Sequence, residues 1–147
     1  MKDIFLAIRE KLMTINSIKW VDLNKGQINN YEVRPAIDFP AALLTIAMPR
    51  TTKLSRKEQQ CDITITVDVV FDFIDDTDSI TTDEAVLQSL AVYDTANEVY
   101  KALQGDSLDG ILRAPMERIG QQDLRRADKL KGIQLVVTSR YSDTSAK

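Results

Sequence analysis

The stretch CDITITVDVVFDF, residues 61 to 73, constrains the fold of this chain more than any other part of its sequence. From residue 63 onwards every odd position is apolar, whereas the even positions are mostly polar and include Asp62, Asp68 and Asp72. Successive side chains of a β-strand point to opposite faces of the sheet, so this alternation predicts a long strand with one apolar face. We expect that face to pack against helices and to form part of the core.

Length and composition fit a single domain that spans residues 1–147. A chain of this length buries roughly 70% of the surface that its unfolded form exposes, which is enough for one hydrophobic core. The only cysteine, Cys61, cannot form an intrachain disulfide. The first residues, MKDIFLAIREKL, mix acids and bases with apolar residues, and the sequence has no run of 18 apolar residues. We therefore expect neither a signal peptide nor a membrane span, and a cytosolic protein.

The residue inventory narrows the chemistry that the chain can perform. It contains no histidine, which excludes Ser-His and Cys-His nucleophiles and most zinc and iron sites. Its five glycines form neither a dinucleotide-binding nor a P-loop motif. Catalysis through aspartate, glutamate, lysine or tyrosine stays open. We nevertheless expect that the chain is not an enzyme and that it binds neither a cofactor nor a metal. The net charge of −3 also argues against general binding of nucleic acid.

Hydrophobic periodicity predicts elements in the order α-β-β-β-α-(β)-β. They are a helix at 3–14, strands at 18–23 and 41–48, the long strand, a helix from Thr81 or Thr82 to Gly105, an edge strand at 112–119 interrupted by Pro115, and a strand at 133–141. Between them, we predict a turn-rich excursion at 24–35, a hairpin tip at 49–60, and helical turns or an ordered loop at 121–132. This order favours an α+β fold in which a mostly antiparallel sheet packs one face on two helices.

The strand at 41–48 is apolar on both faces, unlike the long strand. This pattern predicts a central strand that is covered on both sides, or a strand with one face at a subunit contact. After the final strand, the tail SDTSAK is expected to be loose.

The spacing of the three aspartates tests whether they form a site. A strand rises about 3.3 Å per residue, so Asp68 and Asp72 lie roughly 13 Å apart and Asp62 lies roughly 20 Å from Asp68. A glycosidase pair needs carboxyl groups about 5 to 9.5 Å apart, and a hard metal ion needs oxygens that converge on one point. The row therefore favours the solvated face of a sheet over an active or metal site.

Other candidate positions have structural interpretations. The segment 75–84 has acids at nearly the spacing of a calcium loop, but isoleucine and threonine stand where the motif requires an oxygen ligand and a glycine, so it is read as the start of a helix. Cys61 is expected to be a small buried hydrophobe. Tyr93 and Tyr100 are expected to be core residues with their hydroxyls at the edge.

Charge is segregated along the chain, because acids gather between residues 62 and 84 while bases gather in two other segments. An ordinary solvated surface explains this distribution. Alternatively, basic loops of one copy meet an acidic face of another copy or of a partner, since complementary patches set register and orientation. The candidate interface residues are Arg50, Lys53, Arg56, Lys57, Arg125 and Arg126.

The order of these features resembles that of a known family. An amphipathic N-terminal helix, an early strand, a strand that begins PA, a polar hairpin tip and a long alternating strand come first. A tyrosine-bearing helix and the stretch DLRRADKLKGIQLVVTSRY follow. This order resembles the tail-terminator or tail-completion proteins of long-tailed bacteriophages, the group that includes the minor tail protein U of phage lambda. The resemblance spans most of the chain and rests on element order.

The resemblance implies an α+β protomer that closes into a homo-oligomeric ring, commonly a hexamer, on the tail tube. Such a ring ends tail growth and offers the surface to which the head docks. The implied partners are further copies of the chain, the tail-tube protein and a head-completion protein, with DNA only as passing cargo and no membrane. The implied location is the head-proximal end of the virion tail, after assembly in the host cytoplasm.

Alternatives to this function remain open. A head–tail connector or neck protein of similar size is one, and a small α+β enzyme or ligand-binding domain is another. Within a ring, Asp62, Asp68 and Asp72 line the lumen, where like charge keeps the phosphate backbone of DNA from binding, face basic loops of a neighbouring subunit, or form only a solvated surface.

Overall fold

The computed structural model describes residues 1–29, 36–72, 77–126 and 130–147. Its helices are α1 (Lys2–Met13), α2 (Asp83–Ser89) and α3 (Ala91–Leu103), and its strands are β1 (Trp20–Leu23), β2 (Ala41–Ser55), β3 (Glu58–Phe71), β4 (Glu117–Leu124) and β5 (Lys131–Asp143). The strands form one sheet in the order β1-β2-β3-β5-β4, and every neighbouring pair is antiparallel except β1 and β2. The predicted α+β fold with a mostly antiparallel sheet is confirmed.

The main core lies between one face of the sheet and the helices α1 and α3. The odd side chains of β3 from Cys61 to Val69 are buried in it, as the alternation predicts; Phe73 lies outside the described residues. Helix α1 contributes the stripe Ile4, Ile8 and Leu12, which recurs every four residues and so faces one side of the helix. Asp3 lies in the first turn of α1, where a carboxylate offsets the positive end of the helix dipole.

A smaller apolar cluster covers part of the opposite face of the sheet. Leu43 of β2 and Val70 of β3 are buried there beneath Ile28, with Phe39 packed beside them. The first four residues of β2 are accordingly buried on both sides, which confirms the predicted double coverage for that end of the strand. The described parts of the excursion between β1 and β2, residues 24–29 and 36–40, therefore form a flap over this end of the sheet.

The helix predicted from Thr81 or Thr82 to Gly105 is two helices that meet at Leu90. Thr82 caps α2 through its side chain, as predicted, and Gly105 follows α3 with a positive φ of 78°. The buried stripe of α3 is Val92, Ala96, Val99 and Leu103, whereas the sequence pattern had included both tyrosines. Tyr93 is 40% exposed, so its predicted core position is wrong. Its ring lies on the flank of the helix, where the hydroxyl can reach a polar partner.

Three predicted boundaries also change. The edge strand begins at Glu117, after Pro115, and it continues to Leu124 through residues that were predicted to be helical or irregular. The hairpin that joins β2 and β3 is regular strand almost to its tip, because the turn occupies only the residues next to Arg56 and Lys57. Strand β5 extends to Asp143, which takes in the first residues of the predicted loose tail.

Candidate functional site

The end of β2 and the turn that follows it form a basic arm, defined here as residues 49–57, at the edge of the sheet beside the start of β3. Every residue of the arm is exposed. The sequence changes at this point from alternating apolar and polar residues to polar residues on both faces, so neither face of the arm can be buried in the chain's own core. The arm carries four of the six candidate interface residues, Arg50, Lys53, Arg56 and Lys57.

The outer edge of β2 is open beyond the short strand β1. Strand β1 pairs only with Ala41–Leu44, and no other described strand pairs with the remainder of that edge. Pro49 lies in a bulge between Ala47 and Arg50, a combination that usually protects an edge from unwanted pairing. Beyond this bulge, the arm presents unpaired backbone groups that could accept a strand from another molecule.

The structure separates the other two candidate interface residues from the arm. Arg125 is exposed just beyond β4, at the end of the sheet opposite the arm. Along β3, thirteen residues separate the position beside the tip of the arm from the position nearest Arg125. This separation corresponds to about 43 Å. Arg126 is half-buried and donates a hydrogen bond to the carbonyl oxygen of Ile28, so it ties the flap to the body of the domain.

The three aspartates of β3 do not form one acidic face. Asp62 lies in register between Arg50 of β2 and Arg140 of β5, so its immediate neighbours across the sheet are cationic. Asp68 is only 7% exposed, which corrects the prediction that it lies on a solvated face or in a lumen. Asp72 is half-buried just beyond the strand and interacts within the chain.

Asp68 is instead the centre of a polar cluster beneath the flap. Its carboxylate accepts hydrogen bonds from Asn24 Nδ2 at 3.1 Å and from Gln134 Nε2 at 2.9 Å. Gln134 in turn accepts one from Gln122 Nε2 at 3.1 Å. Burial raises the pKa of Asp68, and the two hydrogen bonds oppose that rise. The cluster therefore links the flap to three strands.

A second cluster, which the sequence pattern missed, joins α3 to the far edge of the sheet. The hydroxyl of Tyr93 donates to Asp123 Oδ2 at 2.7 Å, and Lys131 Nζ lies 3.0 Å from the same oxygen. The hydrogen bond from Tyr93, followed by that from Lys131, lowers the pKa of Asp123. Arg118 stacks over Tyr100, with 3.8 Å to the ring centroid. Tyr93 thus packs against polar groups on the flank of α3, whereas Tyr100 is partly buried against the core, as predicted, and also contacts Arg118.

The remaining candidates have structural roles. Cys61 is buried, as predicted, and desolvation raises the pKa of its thiol, followed by the charges of nearby aspartates. Asp78 accepts hydrogen bonds from the backbone N–H groups of Ile80 and Thr81, in a turn that precedes α2. Within the described ranges, no three His, Cys, Asp or Glu side chains come together as ligands for a metal ion.

Comparison with known proteins does not assign this chain to a family. No protein-family model matches this sequence, and no curated protein is significantly similar to it. Among the described residues, no helix has both the length and the apolar character that crossing a bilayer requires.

Proposed function

We propose that this chain is a structural protein of the tail-terminator type, which assembles with copies of itself into a ring on the end of a phage tail tube. The ring stops growth of the tube and presents a surface to a head-completion protein. The observation that carries the proposal is the basic arm, whose residues are all exposed and which forms an open strand edge.

An arm of this kind gains little stability from its own chain. Ordering a residue costs about 1–2 kcal/mol in backbone entropy, and the arm offsets this cost with hairpin hydrogen bonds but no apolar burial. A partner that adds a strand to the open edge, or that presents acids to Arg56 and Lys57, would supply the missing contacts. We therefore assign the arm to contacts with the tube or with a neighbouring subunit.

The order of elements supports the same proposal. The N-terminal helix, early strand, long hairpin, helix and closing strand on which the family resemblance rests all occur in the fold. A terminator ring also needs two different faces, one towards the tube and one towards the head. The arm and the opposite end of the sheet at Arg125 lie at the two ends of the protomer and are two such surfaces. The row of aspartates plays no part in the proposal, because Asp68 is buried and Asp62 has arginine neighbours.

A tube-growth experiment tests this function. Tail-tube protein from the same phage or prophage is polymerised with and without the chain, and tube lengths are measured by electron microscopy. We expect shorter tubes that carry a ring at one end only. Unchanged lengths with bare ends would contradict the proposal, and binding to the head connector instead of to tubes would favour the neck-protein alternative.

The arm itself can be tested in the same experiment. We expect the variant Arg56→Glu/Lys57→Glu to lose tube capping, because it reverses both charges at the exposed tip. The matched control Lys101→Glu/Arg113→Glu makes the same change in net charge on exposed residues outside the arm and should cap normally. Equal activity of the two variants would remove the arm from the contact.

A further inference from the structure

Helix α2 and the turn before it leave large apolar side chains exposed, although Ala85 and Val86 are partly buried. Ser89 is the one buried residue of α2, and the helix packs on α3. Ile80 is 92% exposed and Leu87 is 70% exposed. Large apolar side chains that are exposed together in this way mark an interaction surface. We refer to residues 78–90 as the α2 segment.

The α2 segment is also acidic. It contains Asp78, Asp83 and Glu84, all exposed, and no lysine or arginine occurs in the sequence between Lys57 and Lys101. A partner surface for this segment should therefore combine exposed apolar side chains with positive charge.

A groove between α1 and β1 has these properties. It has a volume of about 270 Å³ and is lined by Arg9, Met13, Ile18, Lys19, Trp20 and Val21. Met13 is 56% exposed, and Arg9 and Lys19 are both exposed. Two of the described lining residues are cations and none is an acid. The groove is thus complementary to the α2 segment in both polarity and charge.

The two surfaces lie on opposite sides of the protomer at the same level of the sheet. Strand pairing places Trp20, at the groove, in one cross-sheet row that ends at Leu124 of β4. Four strand spacings, or about 19 Å, separate the two ends of that row. The start of α3 is anchored beside Leu124, because Tyr93 bonds to Asp123. The end of the α2 segment immediately precedes this anchor, so Leu90 lies near the β4 edge of the sheet, opposite the β1 edge that carries the groove.

We propose that the α2 segment of one copy docks into the groove between α1 and β1 of the next copy. Ile80 and Leu87 of the segment contact Met13 of the next copy. The carboxylates of the segment face Arg9 and Lys19 of that copy. The two surfaces differ, and they lie at the same height along the strand direction. Rotation about an axis parallel to the strands therefore joins copies head to tail with no shift along that axis. This is the requirement for a closed ring. The inference rests on the proposed ring and names the contact that holds it together.

Charge exchange tests the electrostatic half of this contact. Arg9→Glu/Lys19→Glu and Asp83→Lys/Glu84→Lys are each expected to raise the apparent Kd of self-association about tenfold or more, measured by sedimentation velocity. A chain that carries all four substitutions restores complementarity and should recover most of the affinity. This recovery also shows that the single-sided variants fold. The control Lys101→Glu/Arg113→Glu, with the same change in net charge as the first variant, should associate normally.

Cysteine cross-linking tests the apolar half and its direction. Cys61 is buried, so new thiols at exposed positions can be read against a quiet background. A chain with both Met13→Cys and Leu87→Cys should form a ladder of cross-linked multimers under mild oxidation. A mixture of the two single variants should stop at dimers, and neither single variant alone should cross-link. Cross-linking of Leu87→Cys with itself would show a two-fold contact between α2 helices and would overturn the proposal.

The outcomes separate this inference from the proposed function. If the wild-type chain assembles and caps tubes but the charge and cysteine variants behave like the control, the docking contact is wrong and the ring stands. If copies associate through the groove but tubes grow unchanged, the contact stands and the tail function fails. A wild-type chain that is monomeric at every concentration contradicts both.

Discussion

At the scale of single residues, Asp68 shows how an apparently solvent-facing position becomes buried. Its place on the polar side of an alternating strand predicts a wet carboxylate, but the flap covers that side of the sheet. The residues that bind it, Asn24 and Gln134, lie 44 and 66 positions away in the sequence. Alternation within one strand identifies the two faces correctly, yet it carries no information about a distant segment that covers one of them.

The pH dependence of stability should report the burial of Asp68. Because burial raises the pKa of Asp68 above its ordinary value of 3.8, the group's stabilising contribution is fully present below that pH and is lost as pH rises through the folded-state pKa. Asp68→Asn removes this loss. We expect the stability of the variant relative to wild type, from urea unfolding, to increase from pH 3 towards pH 7 and then level off.

A constant or decreasing difference over that range would contradict the assignment. Asp68→Ala is the companion variant, since it leaves the amides of Asn24 and Gln134 without their shared acceptor. It should cost about 1–3 kcal/mol in the free energy of unfolding.

Gly132 gives a second test at this scale. A Cβ atom at this position would lie 2.7 Å from Leu124 Cδ1 and 3.1 Å from Leu124 Cβ, so the Leu124 side chain would have to shift. We expect Gly132→Ala to lower the free energy of unfolding by about 1–3 kcal/mol in a denaturant titration.

Gly120→Ala is the matched control, because a Cβ atom there meets nothing within 4 Å. It should change stability by less than about 0.5 kcal/mol. The cost of Gly132→Ala should also shrink in a Leu124→Ala background, and an equal cost in both backgrounds would rule out this clash as the cause.

At the scale of elements, the sequence predicts helix α1, the long strand and the hairpin because each depends on local periodicity. Tyr93 of α3 is an exception, because counting tyrosine as apolar predicts a core position, whereas its ring lies on the polar flank of the helix. Strand β4 was placed too early, because its residues Glu117–Leu124 are exposed and lack alternation; pairing with β5 determines its position.

The flap should depend on one of two adjacent arginines. Arg126→Ala removes the hydrogen bond to the carbonyl oxygen of Ile28, and we expect faster amide hydrogen exchange in the buried cluster beneath the flap, together with a loss of about 1–3 kcal/mol. Arg125→Ala, at the exposed neighbouring position, should leave exchange and stability unchanged. If the two variants behave alike, Arg126 does not hold the flap. Arg125 is therefore the better position for probing assembly without disturbing the fold.

At the scale of the whole molecule, three exposed surfaces of the protomer are not covered by the rest of its own fold. The arm at one end, the α2 segment on one side and the groove on the other are each exposed, and we propose that each contacts another molecule. The sequence predicts a segregation of charge, but the separation of the two basic groups by the length of the sheet depends on strand pairing. Assembly into a closed ring explains all three surfaces with a single arrangement.

The mass of the assembled particle tests this account most directly. Mass photometry across a wide range of concentration and salt, with and without tail tubes, measures the number of 16.6 kDa protomers in each particle. The account predicts one dominant closed species, at a fixed multiple of the protomer mass, which weakens as salt screens the charged contacts. Particles of protomer mass alone under every condition would contradict it.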